Sequence, residues 1–354
     1  MRNTMRACNL HGIGDLRYEE VPVPCPGPDE VLLQVKAAGI CGSDIPRVFE
    51  KGTYRFPTIP GHEFAGVIVA AAEEDRALLG RRAAVFPLIP CRECTACQIG
   101  EYPQCDNYDY YGSRRDGAFA EYIAVKKWNL VLVPDTVPFE HAAMCEPCAV
   151  AIHALSQAGV GLGDTAVIFG AGTIGLLAAQ IARGWGAARV VLADVDGAKL
   201  DFAGELGFTH WVNSGKEDPA EYIRRITGGK GADLALDAAG VSPAVEGCLK
   251  SVKTFGKVIL MGNPAKNMDI SQKAYWEILR KQLTLKGTWN SSYNGVRNDW
   301  RLAVDCMENG ILRLEKLITH RFDLADCGKA FELARQRAEF YVKIMFVMNE
   351  GADK

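Results

Sequence analysis

Residues 165–175 read TAVIFGAGTIG and join a short apolar run to the pattern Gly-x-Gly-x-x-Gly. In such a turn the first glycine permits a tight bend, the second leaves room for a pyrophosphate beside the backbone, and the third lets the next helix lie close to the sheet. The N-terminus of that helix offers N–H donors to phosphates. The pattern alone also fits a turn that only packs. With its context it predicts dinucleotide binding at Gly170, Gly172, Thr173, Ile174 and Gly175.

Asp194 supplies that context, because it ends the next apolar run, RVVLAD, nineteen positions after Gly175. A carboxylate at this place accepts a hydrogen bond from a ribose 2′-hydroxyl and repels a 2′-phosphate. The sequence therefore favours NAD over NADP. Lys199, five positions later, is a candidate cofactor contact or a solvated helix charge.

Outward from this turn, the chain alternates buried strands with helices. The runs TAVIF, RVVLA, ADLALD and KVILMG are separated by helix-length segments such as DGAKLDFAGELG and DPAEYIRRITGG. This alternation predicts a doubly wound parallel sheet over residues 155–289. Residues 1–154 are instead mainly β, with extended runs at 30–40 and 64–72. Residues 290–354, with a helix at 299–308 and a last strand YVKIMFVM, are expected to return to this first domain.

Composition excludes several classes of protein. The chain has 354 residues, 48% of them hydrophobic, and a formal net charge of −3. A short adaptor is excluded, and no basic surface for nucleic acid is indicated. The N-terminus lacks the apolar region of a signal peptide, and there is no apolar run of about 18 residues, so we expect a cytosolic protein outside the membrane.

A cluster of cysteines indicates a metal site. Cytosolic disulfides seldom persist, so clustered cysteines are better interpreted as metal ligands. The spacing Cys-x2-Cys-x2-Cys-x7-Cys predicts a closed tetrahedral structural zinc site. An iron–sulfur cluster and four unrelated thiols are the alternatives. These residues, called the four-cysteine cluster below, are Cys91, Cys94, Cys97 and Cys105.

A second set of metal ligands is dispersed along the first domain. Cys41 lies in GICGSD, His62 and Glu63 in GHEFAG, and Glu146 in CEP. Thiolate, imidazole and carboxylate are the donors of a catalytic zinc that keeps one position open. Taken singly, each residue has an ordinary interpretation: a buried small thiol, a core histidine or a charge at a helix start.

Taken together and in this order, these motifs resemble the zinc-dependent medium-chain alcohol and polyol dehydrogenases. GHExxG, the four cysteines, DGAFAEY at 116–122 and GAGTIG carry the resemblance, which covers essentially the whole chain. It implies a GroES-like β-rich catalytic domain (1–154 and 290–354), a Rossmann domain (155–289) and an active site in the cleft between them. We also expect a homo-oligomer, either a dimer or a tetramer.

The resemblance also implies the chemistry. Cys41 and His62 would bind the catalytic zinc, with Glu63 or Glu146 in the remaining protein position. A secondary alcohol of a polyol would be oxidised to a ketone, with hydride transfer to NAD. Ser43 would relay the alcohol's proton. Pro46 stands where sorbitol dehydrogenases commonly carry a histidine, so water, Glu146 or ribose hydroxyls would finish the relay.

Within this family the chain resembles members that act on a phosphorylated polyol, through segments 39–49, 111–122 and 317–322. Guanidinium groups suit phosphate, so Arg47, Arg114 and Arg115 are candidate substrate ligands, with solvated surface charges as the alternative. The alternative enzymes are sorbitol or L-iditol 2-dehydrogenase, threonine 3-dehydrogenase and dehydrogenases of arabinitol or ribitol phosphate. A zinc-containing redox sensor or lens-type structural protein is the non-enzymatic alternative. Loss of a catalytic zinc ligand would indicate such a non-enzymatic protein, and all the expected ligands are present in the sequence.

Overall fold

The computed structural model describes residues 3–348, and its contacts divide the chain into two units. The first unit runs to Glu146 and also contains Ser292–Asn309 and the chain from Leu314 onward. The second unit contains Pro147–Ser291 and Gly310–Arg313. The divisions lie near the predicted positions 154/155 and 289/290.

Strands dominate the first part of the chain and alternate with helices in the second. The strands are β1 (Thr4–Gly12), β2 (Asp15–Pro22), β3 (Glu30–Gly39), β4 (Glu63–Ala70), β5 (Arg82–Val85), β6 (Leu88–Ile89), β7 (Asp109–Tyr110), β8 (Tyr122–Lys126), β9 (Leu130–Leu132), β10 (Thr165–Phe169), β11 (Arg189–Asp194), β12 (His210–Asn213), β13 (Ala232–Asp237), β14 (Val252–Leu260), β15 (Thr284–Gly287), β16 (Ile318–Phe322) and β17 (Lys343–Val347).

The α-helices are shorter and fewer before residue 145 than after it. They are α1 (Asp44–Pro46), α2 (Thr95–Gln98), α3 (Phe139–Ala143), α4 (Cys145–Ala158), α5 (Thr173–Gly184), α6 (Gly197–Glu205), α7 (Pro219–Ile226), α8 (Ser242–Ser251), α9 (Gln272–Lys281), α10 (Asp299–Glu308) and α11 (Cys327–Gln336). No helix within residues 3–348 is long and apolar enough to cross a membrane.

The second unit contains a six-stranded sheet in the order β12-β11-β10-β13-β14-β15. Every neighbouring pair in it is parallel, so the predicted doubly wound sheet is confirmed. The central strand β10 is buried throughout, because the helices on a parallel sheet cover both faces. Asp196 and Asp218 lie directly before α6 and α7 and cap them, because their side chains accept hydrogen bonds from backbone N–H groups two residues later. Strand β12 was not predicted.

The first unit is built on a seven-stranded sheet, in which the order β16-β17-β3-β4-β5-β9 is extended by β8 pairing with β3. The closing strand β17 pairs antiparallel with β3, as Met345 with Gly39 and Phe346 with Ala38. The last strand therefore belongs to the same sheet as β3. The first strands β1 and β2 form a separate hairpin.

Candidate active site

A turn that follows β3 holds Cys41. The backbone N–H of Cys41 donates to Asp44 Oδ2 at 2.9 Å, and the N–H of Asp44 donates to the Cys41 carbonyl at 3.0 Å. Asp44 is fully buried. These two hydrogen bonds connect the first and last residues of the Cys-Gly-Ser-Asp turn and so fix its conformation. Ser43 lies inside it, and no bond of its hydroxyl is found in the described range.

Glycines decide the conformation of the turn that presents His62. Gly61 has a φ of +99°. A Cβ atom on Gly117 would lie 2.1 Å from the carbonyl oxygen of Gly61, and one on Gly112 would lie 2.6 Å from it. The N–H of Ala118 donates to this same carbonyl at 2.9 Å. The DGAFAEY segment is therefore packed, backbone against backbone, on the residue before His62.

These two turns bring three of the predicted ligands together. One ligand atom each from Cys41, His62 and Glu63 lies within 4.8 Å of the others. We call this group the Cys–His–Glu site. Its thiol, imidazole and carboxyl groups match the donors that zinc prefers, so the residues fit a catalytic zinc. Glu146 is not a member of this close group.

Glu146 lies at the start of α4 and is buried. Burial raises the pKa of Glu146 to about 7, an effect that the charge of His62 opposes and that of Glu63 reinforces. The carboxyl group of Glu146 is thus close enough to the Cys–His–Glu site for the charges of His62 and Glu63 to change its pKa. Which of the two glutamates completes a zinc shell stays a prediction.

Asp44 orients His62 as well as Cys41. Nδ1 of His62 is 3.4 Å from Oδ1 of Asp44, which is ion-pair range, but its geometry makes no hydrogen bond. Burial opposes ionisation of Asp44, yet His62 and Arg47 outweigh it and lower the pKa of Asp44 to about 2. Burial likewise opposes charging of His62, and Asp44 and Cys41 together raise the pKa of His62. A carboxylate beside a histidine is the usual support of a metal-binding imidazole.

A lysine that the sequence analysis missed binds Glu63. Lys343 Nζ donates to Glu63 Oε1 at 2.9 Å and Oε2 at 2.6 Å, and to the Ile40 carbonyl at 3.0 Å. Lys343 and Glu63 are 4% and 1% exposed. Gly39 makes room for them, since a Cβ atom there would lie 2.5 Å from Glu63 Oε2. The carboxylate of the Cys–His–Glu site is therefore held by an ammonium group from β17.

An aromatic row extends from His62 to one of the predicted arginines. The ring of Tyr110 packs on that of His62 with centroids 5.8 Å apart, and Tyr108 packs on Tyr110 at 6.1 Å. The guanidinium carbon of Arg114 lies 4.3 Å from the Tyr108 ring and 4.4 Å from the Tyr54 ring. Tyr110 and its neighbours were not among the predicted site residues.

The three candidate arginines have different partners. Arg47 is paired with the buried Asp44, and Arg115 with Asp109 at 2.9 Å and Glu30 at 3.7 Å. Arg114 has no carboxylate partner among the described residues; it lies between two tyrosine rings and donates to the Tyr54 hydroxyl at 3.4 Å. Of the three, Arg114 is the one whose charge is not already neutralised.

The four-cysteine cluster is compact. One sulfur atom from each cysteine lies within 4.8 Å of the others, and Sγ of Cys91 is 3.9 Å from that of Cys97. A tetrahedral zinc with bonds of about 2.3 Å separates its sulfurs by roughly 3.8 Å. Backbone N–H groups of Glu93 and Cys94 lower the pKa of Cys91 to about 6. The cluster therefore fits a closed structural zinc.

In the second unit the conformation of the glycine-rich turn depends on Gly170 and Gly175. Gly170 has a φ of +106°, and a Cβ atom on Gly175 would lie 1.8 Å from the Gly170 carbonyl oxygen. Nothing lies within 4 Å of a Cβ atom on Gly172, which leaves that approach open to a phosphate. Thr173 and Ile174 form the first turn of α5.

Asp194 braces the same turn. Its carboxylate accepts from Ala171 N at 2.8 Å and from Asp196 N at 3.0 Å. Lys199 Nζ is 3.6 Å from Asp194 Oδ2. The predicted cofactor residues are therefore gathered at the carboxyl ends of β10 and β11, where dinucleotides bind in doubly wound sheets.

Known families match both units. Residues 27–135 match the alcohol dehydrogenase GroES-like domain, and residues 173–309 match the zinc-binding dehydrogenase family. Galactitol 1-phosphate 5-dehydrogenase of Escherichia coli (strain K12) is 37% identical over 295 residues, which are 83% of this chain and 85% of that protein. The crystal structure of galactitol-1-phosphate dehydrogenase from Escherichia coli has a TM-score of 0.91, at 34% identity over 97% of this chain and 100% of that one.

Two further proteins widen the comparison. Sorbitol dehydrogenase of Bacillus subtilis (strain 168) is 32% identical over 352 residues, or 98% of each chain. A candidate zinc-binding dehydrogenase from Sinorhizobium meliloti 1021, solved with NADP bound, has a TM-score of 0.89 at 30% identity and covers 98% of this chain and 100% of its own.

Proposed function

Because this chain belongs to the zinc-dependent medium-chain alcohol and polyol dehydrogenases, we propose that it oxidises a secondary hydroxyl of a phosphorylated polyol to a ketone, with hydride transfer to NAD. The observation that carries the phosphate part is the position of Arg114. Its guanidinium group is held between Tyr54 and Tyr108 without a carboxylate partner in residues 3–348. Through Tyr108 and Tyr110 it is connected to His62.

Two flat rings hold a guanidinium group in place while leaving its N–H donors at the edges. A phosphate can then accept two parallel hydrogen bonds from it, at a low cost in side-chain entropy. Arg47 and Arg115 would first have to release a carboxylate. Arg114 is therefore our candidate for the phosphate ligand.

At the other end of the row, Cys41 and His62 would hold the catalytic zinc together with Glu63 or Glu146. When bound, zinc is a Lewis acid that favours loss of the proton from the reacting hydroxyl. Asp44 keeps His62 and the Cys41 turn in place, so the donors are pre-oriented. Ser43, two residues after Cys41, is the candidate that accepts the proton, and Glu146 is a candidate to pass it on.

The cofactor proposal depends on Asp194, whose carboxylate lies beside the glycine turn. Replacement by alanine should weaken NAD binding more than NADP binding, by about 1–3 kcal/mol. For NAD it removes a hydrogen-bond acceptor, and for NADP it also removes a repulsion of the 2′-phosphate. Steady-state kcat/KM with each cofactor checks this. Equal values in the unchanged enzyme would refute the preference for NAD.

We also propose a homo-oligomer. Strand β15 is the last in its sheet and all four of its residues are exposed. Tyr275, Trp276 and Leu279 of α9 are exposed in the same unit. An open strand edge and exposed apolar side chains in the same unit favour pairing with a second copy. Trp276→Glu should shift the protein towards monomer in analytical ultracentrifugation.

We further propose a cytoplasmic location, where all the cysteines stay reduced.

The deciding experiment compares polyols with their phosphates. The zinc-loaded enzyme is assayed with NAD on galactitol, sorbitol and their monophosphates, beside Arg114→Ala and, as a matched control, the exposed Arg76→Ala. We expect Arg114→Ala to raise KM for a phosphorylated polyol at least about tenfold, or 1.4 kcal/mol, and to leave the free polyols unchanged. If the unchanged enzyme used sorbitol as efficiently as any phosphate, sorbitol dehydrogenase would replace this proposal.

A further inference from the structure

Tyr110 is the residue of the aromatic row that the reaction described above leaves without a role. It ends the two-residue strand β7 and is half-buried. Its ring is tilted by 59° against the imidazole of His62. The side chain therefore forms one wall of the Cys–His–Glu site.

The hydroxyl group of Tyr110 is available to a ligand. Within residues 3–348 no hydrogen bond from this hydroxyl is found, although its surroundings are polar. The hydroxyl of the adjacent Tyr111, by contrast, accepts from Lys126 N at 2.9 Å, and that of Tyr293 donates to two backbone carbonyls. Two other tyrosines of the unit thus have hydroxyls that bond the backbone, and Tyr110 does not.

The surroundings of this hydroxyl are those of the reacting group. Besides burial, the charges that act most strongly on Tyr110 are those of Glu146 and Cys41, followed by that of Arg47. Because the Tyr110 ring packs on that of His62 with centroids 5.8 Å apart, a substrate hydroxyl at the Cys–His–Glu site would bring its neighbouring carbon atoms close to Tyr110. On a polyol each of those carbons carries another hydroxyl, whereas on a monohydric alcohol it carries none.

We propose that Tyr110 is a specificity-determining residue, whose hydroxyl hydrogen-bonds a second hydroxyl of the substrate beside the reacting one and so selects polyols over monohydric secondary alcohols. This inference rests on the proposed function in one respect, the polyol substrate, and is independent of the phosphate. A site that offers a hydrogen bond discriminates against an analogue without the matching group, because its own polar atom is left unpaired.

The test uses the zinc-loaded enzyme with NAD on a polyol and on 2-butanol. Tyr110→Phe keeps the ring against His62 and removes only the hydroxyl. We expect it to lower kcat/KM for the polyol about tenfold or more, mainly through KM, and to leave 2-butanol unchanged. Tyr111→Phe is the matched control and should leave the ratio of the two substrates unchanged, since its hydroxyl bonds the backbone.

Zinc content and NADH binding, measured by metal analysis and fluorescence, should be the same in all three proteins. If Tyr110→Phe left the ratio of kcat/KM for the polyol to that for 2-butanol unchanged, whether or not both values fell, the inference would be overturned. The proposed function is tested separately by the unchanged enzyme. Preference for a free polyol over its phosphate would refute the phosphate part and leave the Tyr110 result interpretable.

Discussion

Lys343→Met perturbs the Cys–His–Glu site from the far end of the sequence. It removes the ammonium group and leaves the carboxylate of Glu63, 1% exposed, without its cation. Three hydrogen bonds that Lys343 donates are lost, two to the Glu63 carboxylate and one to the Ile40 carbonyl. Removal of one partner from a buried ion pair costs about 3–5 kcal/mol. That corresponds to a rise of roughly two to four orders of magnitude in the equilibrium constant for local opening.

Hydrogen exchange measured by mass spectrometry on the zinc-loaded protein separates the units. We expect faster exchange in β3, β4 and β17, with β10 and β13 of the second unit as the internal reference. Glu63→Gln combined with Lys343→Met should recover most of the protection, because neither charge of this pair then remains unpaired in the interior. Lys126→Met, which breaks a more exposed pair with Asp29, is the matched control and should cost about 1 kcal/mol or less.

The double variant decides whether the reasoning holds. If Lys343→Met and the double variant exchanged at the same rate, the two charges would be uncoupled and the buried pair would not be the cause. Loss of protection in both units alike would instead indicate a general effect of the substitution.

Three further predictions concern metal, cofactor and pH. A chelator should empty the Cys–His–Glu site before the four-cysteine cluster, so that activity disappears while circular dichroism persists; simultaneous loss of both would contradict this. Gly172→Ala should leave thermal stability unchanged and weaken NAD binding, whereas Gly175→Ala should lower stability itself, since only the latter Cβ meets backbone; equal melting temperatures would be the contrary result. A hydrogen bond from Lys250, followed by one from Ser271 N–H, lowers the pKa of Glu246 to about 2, so its stabilisation of α9 is present above the ordinary value of 4.5 and is lost as the pH falls towards 2; amide exchange in α9 should rise over that range, and a pH-independent rate would contradict the assignment.

Residues that act through their own backbone could be predicted from the sequence. In the turn at 170–175, Gly170 has a positive φ and the backbone at Gly175 lies against the Gly170 carbonyl. Only glycine meets both requirements, so glycines recur there at a fixed spacing in the sequence. The four-cysteine cluster is local for the same reason, since its ligands fall within fifteen residues. In both cases the residues that act together are close to one another in the sequence.

Residues that act through a distant partner could not be predicted in this way. Lys343 and Glu63 are 280 positions apart, and YVKIMFVM was interpreted only as an apolar strand. The available signal was a lysine between apolar neighbours, which requires a buried counter-charge. Arg114 and Arg115 are adjacent in sequence, and only the fold shows that one is ion-paired while the other lies between tyrosine rings. Strand β12, His-Trp-Val-Asn, is too short and too polar to stand out.

The position of β17 between β16 and β3 has a consequence for synthesis. Translation proceeds at about 5–20 residues per second, so roughly 14–56 s separate the appearance of Glu63 from that of Lys343. During that interval the whole parallel sheet of the second unit has been made and can fold. Strand β3, however, has an unpaired edge at Ala37, Ala38 and Gly39, and Glu63 lacks its cation. The nascent protein therefore passes through a stage with one complete unit and one open sheet, and it is at this stage that pairing with the wrong strand endangers it most.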